Sequence, residues 1–260
     1  MFDLSIVVPG IRTEKWPAFC KSVFKTRNVS IEIIFVGPVD LPELRSDDRV
    51  KFIQDRGSPT RCSQIGVLHS TGRRIMFACD DALMIHRGQE SIWGMMEGDC
   101  KTVILGKYTE GSGEGRIGRK RWRKNLADTY YKINSHELSA SPYIPKDWII
   151  GNFAYVDRSY FIKLGGFDCR FEAPAIPTTD FAIRAQRDGA KFVLNDIKIF
   201  ELEFEGERGG THSPIFDAFM ENDAPLYRSI YDDPDCVNRM RIDFDNWKDA
   251  PEIWPRRIIK

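Results

Sequence analysis

Apolar runs and turn residues alternate along the N-terminal part of the chain. Leu4-Ser5-Ile6-Val7-Val8-Pro9-Gly10 is a β-branched run stopped by Pro-Gly, which predicts a first strand opening into a loop. From Trp16 to Thr26 the apolar positions Trp16, Phe19, Cys20, Val23 and Phe24 recur at helical spacing. Ile31-Glu32-Ile33-Ile34-Phe35-Val36 then predicts a second buried strand, again closed by Gly37-Pro38. Val50 to Ile53 is a brief third strand, and Gly57-Ser58-Pro59-Thr60 is turn chemistry leading into a helix from about Arg61 to Ser70. The run from Arg73 to Cys79 forms a fourth strand and ends abruptly in Asp80-Asp81. Strands alternating with helices through short turns predict an α/β chain with a doubly wound, mostly parallel sheet flanked by helices.

That topology gives the Asp80-Asp81 pair a meaning, because ligands of parallel sheets bind just beyond the carboxyl ends of the strands. Adjacent carboxylates repel unless a cation, proton or donor offsets them, and hard oxygen ligands suit Mg²⁺ or Mn²⁺ carrying a substrate phosphate. On the dipeptide alone, a helix cap or turn explains the pair as well. No Gly-x-Gly-x-x-Gly follows the first strand and no Gly-x-x-x-x-Gly-Lys-Ser/Thr occurs, which disfavours the ordinary dinucleotide fold and the P-loop.

Composition narrows the classes further. At 260 residues, 42% hydrophobic and 29% charged, the chain can bury a substantial core. Lys plus Arg and Asp plus Glu number 38 each, so no global charge points to nucleic acid, and none is expected as a partner. The six cysteines are scattered without zinc-ligand spacing, and no window approaches ~18 apolar residues. A cytoplasmic chain without a transmembrane segment is the expectation, with peripheral membrane association left open.

The order of these pieces resembles the GT-A glycosyltransferases, in particular the family 2-type inverting enzymes that use nucleotide-diphosphate sugars. The matching stretches are Ser5 to Pro9, Glu32 to Val36, Gly57 to Gly66, Thr71 to Phe77 and Asp80-Asp81, followed by Gly151-Asn152-Phe153-Ala154 and Phe161 to Asp168. The resemblance spans roughly residues 4 to 212. It implies a GT-A domain over 1–212, with a nucleotide-sugar half (1–105), a flexible basic loop (106–124), an acceptor-side half (125–212) and a C-terminal extension (213–260). It places the donor, a UDP-sugar by preference and a GDP- or dTDP-sugar otherwise, on Pro9, Gly37, Asp40, Arg61, Asp80 and Asp81. It places a hydroxyl acceptor, a glycan or glycoconjugate, near Gly151, Asn152, Thr179 and Arg184. A divalent Mn²⁺ or Mg²⁺ is implied on Asp81 and Asp80, with the loop histidine His212 as a third ligand. The sequence departs from the family pattern at the second strand's acidic end, replaced by Val36-Gly37-Pro38 with Asp40 beyond; at Cys79, where an Asp-x-Asp motif has its first acid; and at Thr179, where a Glu precedes the catalytic Asp.

Asp180 heads Asp180-Phe181-Ala182-Ile183-Arg184-Ala185-Gln186-Arg187-Asp188-Gly189, a helix stopped by glycine, with Thr178 or Thr179 able to cap it. An Asp in a first helical turn ordinarily serves the helix dipole. By resemblance Asp180 is the general base that deprotonates the acceptor hydroxyl, with Arg184 one turn on to orient it. Residues 106–124 combine five glycines with a closing basic cluster around Trp122, which fits either a solvated loop or a lid over the donor. Helical pieces are expected near Ile215 to Met220 and Pro225 to Tyr231. Three further classes stay open: a catalytically silent nucleotide-sugar-binding module; a nucleotidyltransferase of related fold, for which Val8-Pro9-Gly10-Ile11-Arg12 is a poor version of the expected loop; and a nucleic-acid protein using residues 116 to 124, which the neutral overall charge does not favour.

Overall fold

The computed structural model describes residues 2–95, 98–110, 125–133, 140–202 and 213–257. The first half runs β1 (Leu4–Pro9), α1 (Trp16–Val23), β2 (Ile31–Gly37), β3 (Val50–Gln54), α2 (Pro59–Leu68), β4 (Arg74–Phe77), β5 (Ala82–Met84), α3 (His86–Trp93) and β6 (Thr102–Glu110). It continues with β7 (Asn125–Asp128), β8 (Tyr130–Lys132), β9 (Ile149–Gly151), β10 (Val156–Asp157), α4 (Arg158–Lys163), α5 (Ala175–Arg187), β11 (Lys191–Leu202), α6 (Ser213–Ala218) and α7 (Ala224–Tyr231).

The main sheet has the order β10-β4-β1-β2-β3, parallel except for the edge strand β10. Strand β2 is buried along its whole length, and β1 is buried up to Pro9, as strands covered on both faces must be. Alternation then sorts their side chains into two layers. Ile6, Val8, Ile33 and Phe35 join Trp16, Phe19 and Val23 of α1 on one face, while Val7, Ile34 and Val36 join Cys62, Ile65 and Val67 of α2 on the other. A second sheet, β5-β11-β6-β7, is tied to the first by the Ile104–Tyr155 bridge. Residues 106–110, expected as the start of a flexible loop, belong instead to β6, which is paired with β11 and β7 on its two sides. The remainder of that loop, including Trp122, lies outside the described residues, as does His212.

Helix α5 begins at Ala175, five residues ahead of Asp180. Neither Thr178 nor Thr179 caps it. Their hydroxyls donate back to the Ala175 carbonyl at 2.7 and 3.0 Å, and Pro177 fits this early because the first N–H groups of a helix have no intrahelical partner. Asp180 is therefore an interior residue of the helix. The C-terminal segment is stitched into the body: Tyr227 and Tyr231 of α7 pack with Ile150, Ile176 and Ile183, and Phe244 and Trp247 lie against the α2 layer. All six cysteines are free, and no helix among the described residues is long and apolar enough to cross a membrane.

Candidate functional site

The loop after β1 and the turn after β4 meet at the carboxyl edge of the main sheet. Gly10 donates to the Val36 carbonyl at 3.0 Å, and a Cβ on Gly37 would lie 2.0 Å from the Gly10 oxygen. Only a glycine at 37 lets the two strand ends approach so closely. Gly10 in turn rests on the Trp16 ring and on Cβ of Asp80, and that ring is stacked on Phe35 with centroids 4.1 Å apart. The loop backbone is thereby aimed at the carboxylate pair.

Asp80 and Asp81 are both buried, and Arg12 spans them. One oxygen of Asp80 accepts from the backbone N–H groups of Ile11 and Arg12, each at 2.7 Å. Its other oxygen accepts from Arg12 Nε at 2.8 Å and also from Nη2. Arg12 Nη1 donates to Asp81 Oδ2 at 3.1 Å. Burial works against the guanidinium's charge, but the two carboxylates overcome it and raise the Arg12 pKa above the ordinary arginine value.

This arrangement does not fit the metal that the resemblance implies. A hard cation needs oxygen lone pairs at ~2.0–2.6 Å, and those of Asp80 already serve four N–H donors. Among the described residues no group of three or more His, Cys, Asp or Glu side chains is placed to hold a metal.

Of the other expected donor residues, Pro9 and Gly37 end β1 and β2 at this edge. Asp40, half-buried just beyond, lines a small cleft with Trp16, Phe35, Leu41, Leu44, Val50 and Phe52. Arg61 is buried and committed elsewhere: it pairs with Asp55 at 3.2 Å, donates to the carbonyls of Trp247 and Ala250, and lies over the Trp247 ring. It secures the C-terminal segment to α2 rather than facing a phosphate.

On the acceptor side, Gly151 ends β9, where a Cβ would strike Leu105 at 2.3 Å, and the Thr178 hydroxyl lies 3.3 Å from Asn152 Oδ1. Thr179 is buried, its hydroxyl turned back on the Ala175 carbonyl. Asp180 is 0% exposed. One oxygen accepts from Arg184 Nε at 2.8 Å; the other accepts from the Tyr231 hydroxyl at 2.7 Å and from Arg239 Nε at 2.9 Å. Arg239 also reaches Asp168 at 2.6 Å, and Arg184 donates to the carbonyls of Leu164 and Gly166. Gly165 and Gly166 make that turn possible, with φ of +90° and +66°. Burial acts to raise the Asp180 pKa, but Arg184, Arg239 and Tyr231 prevail and hold it at about 2. A general base needs an oxygen within reach of the proton it takes; in this structure both oxygens of Asp180 are engaged inside the protein.

The structure thus joins Asp80 to Asp81 and Asp180 to Arg184, and adds four residues that sequence reading had not singled out: Arg12, Asp168, Tyr231 and Arg239. Arg12 had a signal, being the first basic residue of the chain and standing directly after the first strand's Pro-Gly.

The chain is a mixed α/β fold with a mostly parallel central sheet flanked by helices and acidic residues at its carboxyl edge. No family model matches the chain, and no curated protein matches it by sequence. Among solved structures it resembles residues 1–349 of S. aureus TarS, with a TM-score of 0.56 at 12% identity over 95% of this chain and 89% of that one. It also resembles the same TarS segment in complex with UDP, with a TM-score of 0.52 at 13% identity over 85% of this chain and 66% of that one. At such identities the likeness is one of fold.

Proposed function

We propose that the chain transfers a sugar from a nucleotide-diphosphate donor to an acceptor hydroxyl. The observation that carries this reading is the acidic pair with its arginine at the carboxyl edge of β1 and β4, in a fold shared with TarS, a glycosyltransferase solved with UDP. That edge is where parallel sheets bind their ligands. In the reaction, the acceptor oxygen loses its proton and bonds to the anomeric carbon. The bond from that carbon to the diphosphate oxygen breaks, and the nucleoside diphosphate leaves.

The finer form of this reading follows the family 2-type resemblance: inversion, with Asp180 as the base. It requires Arg239 and Tyr231 to swing away when the acceptor arrives, because their donors now fill one of its oxygens. A pKa held at about 2 also makes the carboxylate a weak proton acceptor. The sequestered Asp180 favours a second reading, a binding module that keeps the donor and lacks turnover. The divalent metal is not carried into either reading, for the reason of fit given above.

A thermal-shift panel of UDP-, GDP-, dTDP- and CMP-sugars tests the proposal, since a ligand of the native state raises its melting temperature. A rise with one nucleotide class, together with release of the nucleoside diphosphate on adding acceptors, is expected of the transferase. A rise without any release identifies the binding module, and no rise with any nucleotide contradicts both.

A further inference from the structure

We propose that the cleft between α1 and the β5–α3 turn seats the phosphate headgroup of an anionic lipid, so that this face of the chain docks on a negatively charged membrane surface. The proposal uses no residue of the donor reading and stands or falls apart from it.

The cleft, of about 460 Å³, runs between Lys21, Ser22 and Lys25 on one side and Leu83, Met84 and His86 on the other. Both walls follow from the sequence. Lys21 lies in the last turn of α1, on the side away from the buried Phe19, Cys20 and Val23, and Lys25 follows four residues later, so the two ammonium groups share one face. Across from them β5 alternates: Ala82 and Met84 are buried, and Leu83 between them is 39% exposed. Ser22 holds the walls at one separation, because its hydroxyl donates to the Phe19 carbonyl at 2.7 Å and accepts the Met84 N–H at 2.9 Å. The cleft is therefore built into the packing of α1 on β5.

Charge selects the class of ligand. Lys21 and Lys25 are exposed, and among the described residues neither pairs with a carboxylate. Glu201, which also lines the cleft, is already paired with Lys198. The exposed Arg27 and Arg87 extend the cationic face, and the two sides are joined where the Arg27 N–H donates to Glu90 of α3 at 2.7 Å. Five cations thus surround the cleft against two carboxylates, both of which have partners within the chain.

Two features choose a lipid over other anions. An exposed leucine at the rim of a cationic cleft matches a bilayer, which offers phosphate and, just beneath it, apolar carbon; lysine stems lie along that carbon while their ammonium groups reach the phosphates. An extended acidic peptide finds no free strand edge to add to, since the Met84 N–H of β5 is taken by Ser22.

The test compares the full chain as wild type, as the double variant Lys21→Gln/Lys25→Gln, as Leu83→Ser and as Arg228→Gln, which removes an exposed arginine from α7, a helix packed in a different core cluster. Circular dichroism confirms that each is folded. Binding is read by cosedimentation with vesicles of phosphatidylcholine alone and of phosphatidylcholine with about one-third phosphatidylglycerol, at low and high salt. Wild type is expected to bind the anionic vesicles and not the neutral ones, and to be released by salt. Each lysine at an anionic surface contributes about fivefold in partitioning, so the double variant is expected to lose about 25-fold and Arg228→Gln less than about twofold. Leu83→Ser is expected to lose about fivefold through its missing apolar contact. Equal loss in Arg228→Gln and the double variant would mean charge attraction without a seat, and overturns the proposal. Absence of binding by wild type overturns it too, as does retained binding by the double variant or by Leu83→Ser. Glycerol 3-phosphate and polyglutamate separate the other occupants. Calorimetric binding of either, abolished in the double variant while the vesicles stay free of protein, assigns the cleft to a soluble phosphate or an acidic protein and overturns the membrane dock.

Discussion

Arg12 between Asp80 and Asp81, and Arg239 between Asp168 and Asp180, are the same arrangement of one cation across two anions, placed in different surroundings. The first lies at the carboxyl edge of parallel strands, with the Arg12 side chain 12% exposed. The second has a further arginine beneath it: Arg184, paired with Asp180, is as completely buried as its partner, 0% exposed on both sides. Tyr231 and two backbone carbonyls complete that cluster. Arg170 pairs with Asp168 as well, at 2.6 Å, so both acids are fully partnered, which is the condition under which a buried ion pair holds structure together without doing chemistry. The Asp80–Asp81 pair lies instead at the edge where parallel sheets bind their ligands. Arg–Asp bridging therefore does not by itself mark a site; burial and position in the sheet separate the two.

Breaking the buried cluster should have the largest effect. Arg184→Leu leaves one oxygen of Asp180 and the Leu164 and Gly166 carbonyls without their buried donor, and is expected to cost about 3–5 kcal/mol, a melting decrease on the order of 10 °C. A loss below ~1 kcal/mol in urea unfolding would show that the cluster is not structural.

Acid titration sharpens the same contrast. The folded pKa of Asp180, about 2, lies below the ordinary aspartate value, so its contribution is fully present above pH ~4 and is lost as pH falls through the folded value. Asp180→Asn should remove about 2 kcal/mol of stability near neutral pH and flatten the acid limb between those two values. The catalytic reading of Asp180 predicts instead a stable variant whose transfer falls roughly 10²–10⁴-fold.

At the sheet edge, Gly37→Ala should cost about 1–3 kcal/mol, since the clash is with backbone that no rotamer can relieve. Nucleotide binding should suffer more than melting, because the displaced segment is the one that aims Arg12. Normal nucleotide affinity in a folded Gly37→Ala chain would separate the loop from the site.

The elements that were legible beforehand are those with enough residues to show a period. Strands β1 and β2 and helices α1 and α2 have continuous or helically spaced apolar positions, and their order led to Asp80-Asp81 at a strand end. The three-residue strands β5, β8 and β9 are too short to carry any period. Strand β11 alternates weakly because much of it is only half-buried. Within the site, the carboxylates were readable as types that need partners, but the partners themselves lie far away in sequence. Arg12 and Asp80 are 68 residues apart, and Asp180 and Arg239 are 59 apart. The C-terminal stretch had no readable role because its contribution is to burial and pairing, through Tyr231, Arg239 and Trp247, rather than to any motif. Asp180 read as the head of a helix because the two threonines before it are good caps, whereas the helix starts a turn earlier at Ala175.

Calorimetric titration of UDP in EDTA, on wild type, Arg12→Gln and Asp180→Asn under conditions where all three are folded, tests the separation of the two clusters most directly. The account predicts that wild type and Asp180→Asn bind UDP with similar affinity and that Arg12→Gln loses it by at least about tenfold. Retained binding in Arg12→Gln with loss in Asp180→Asn would contradict it, moving the nucleotide from the sheet edge to the buried cluster.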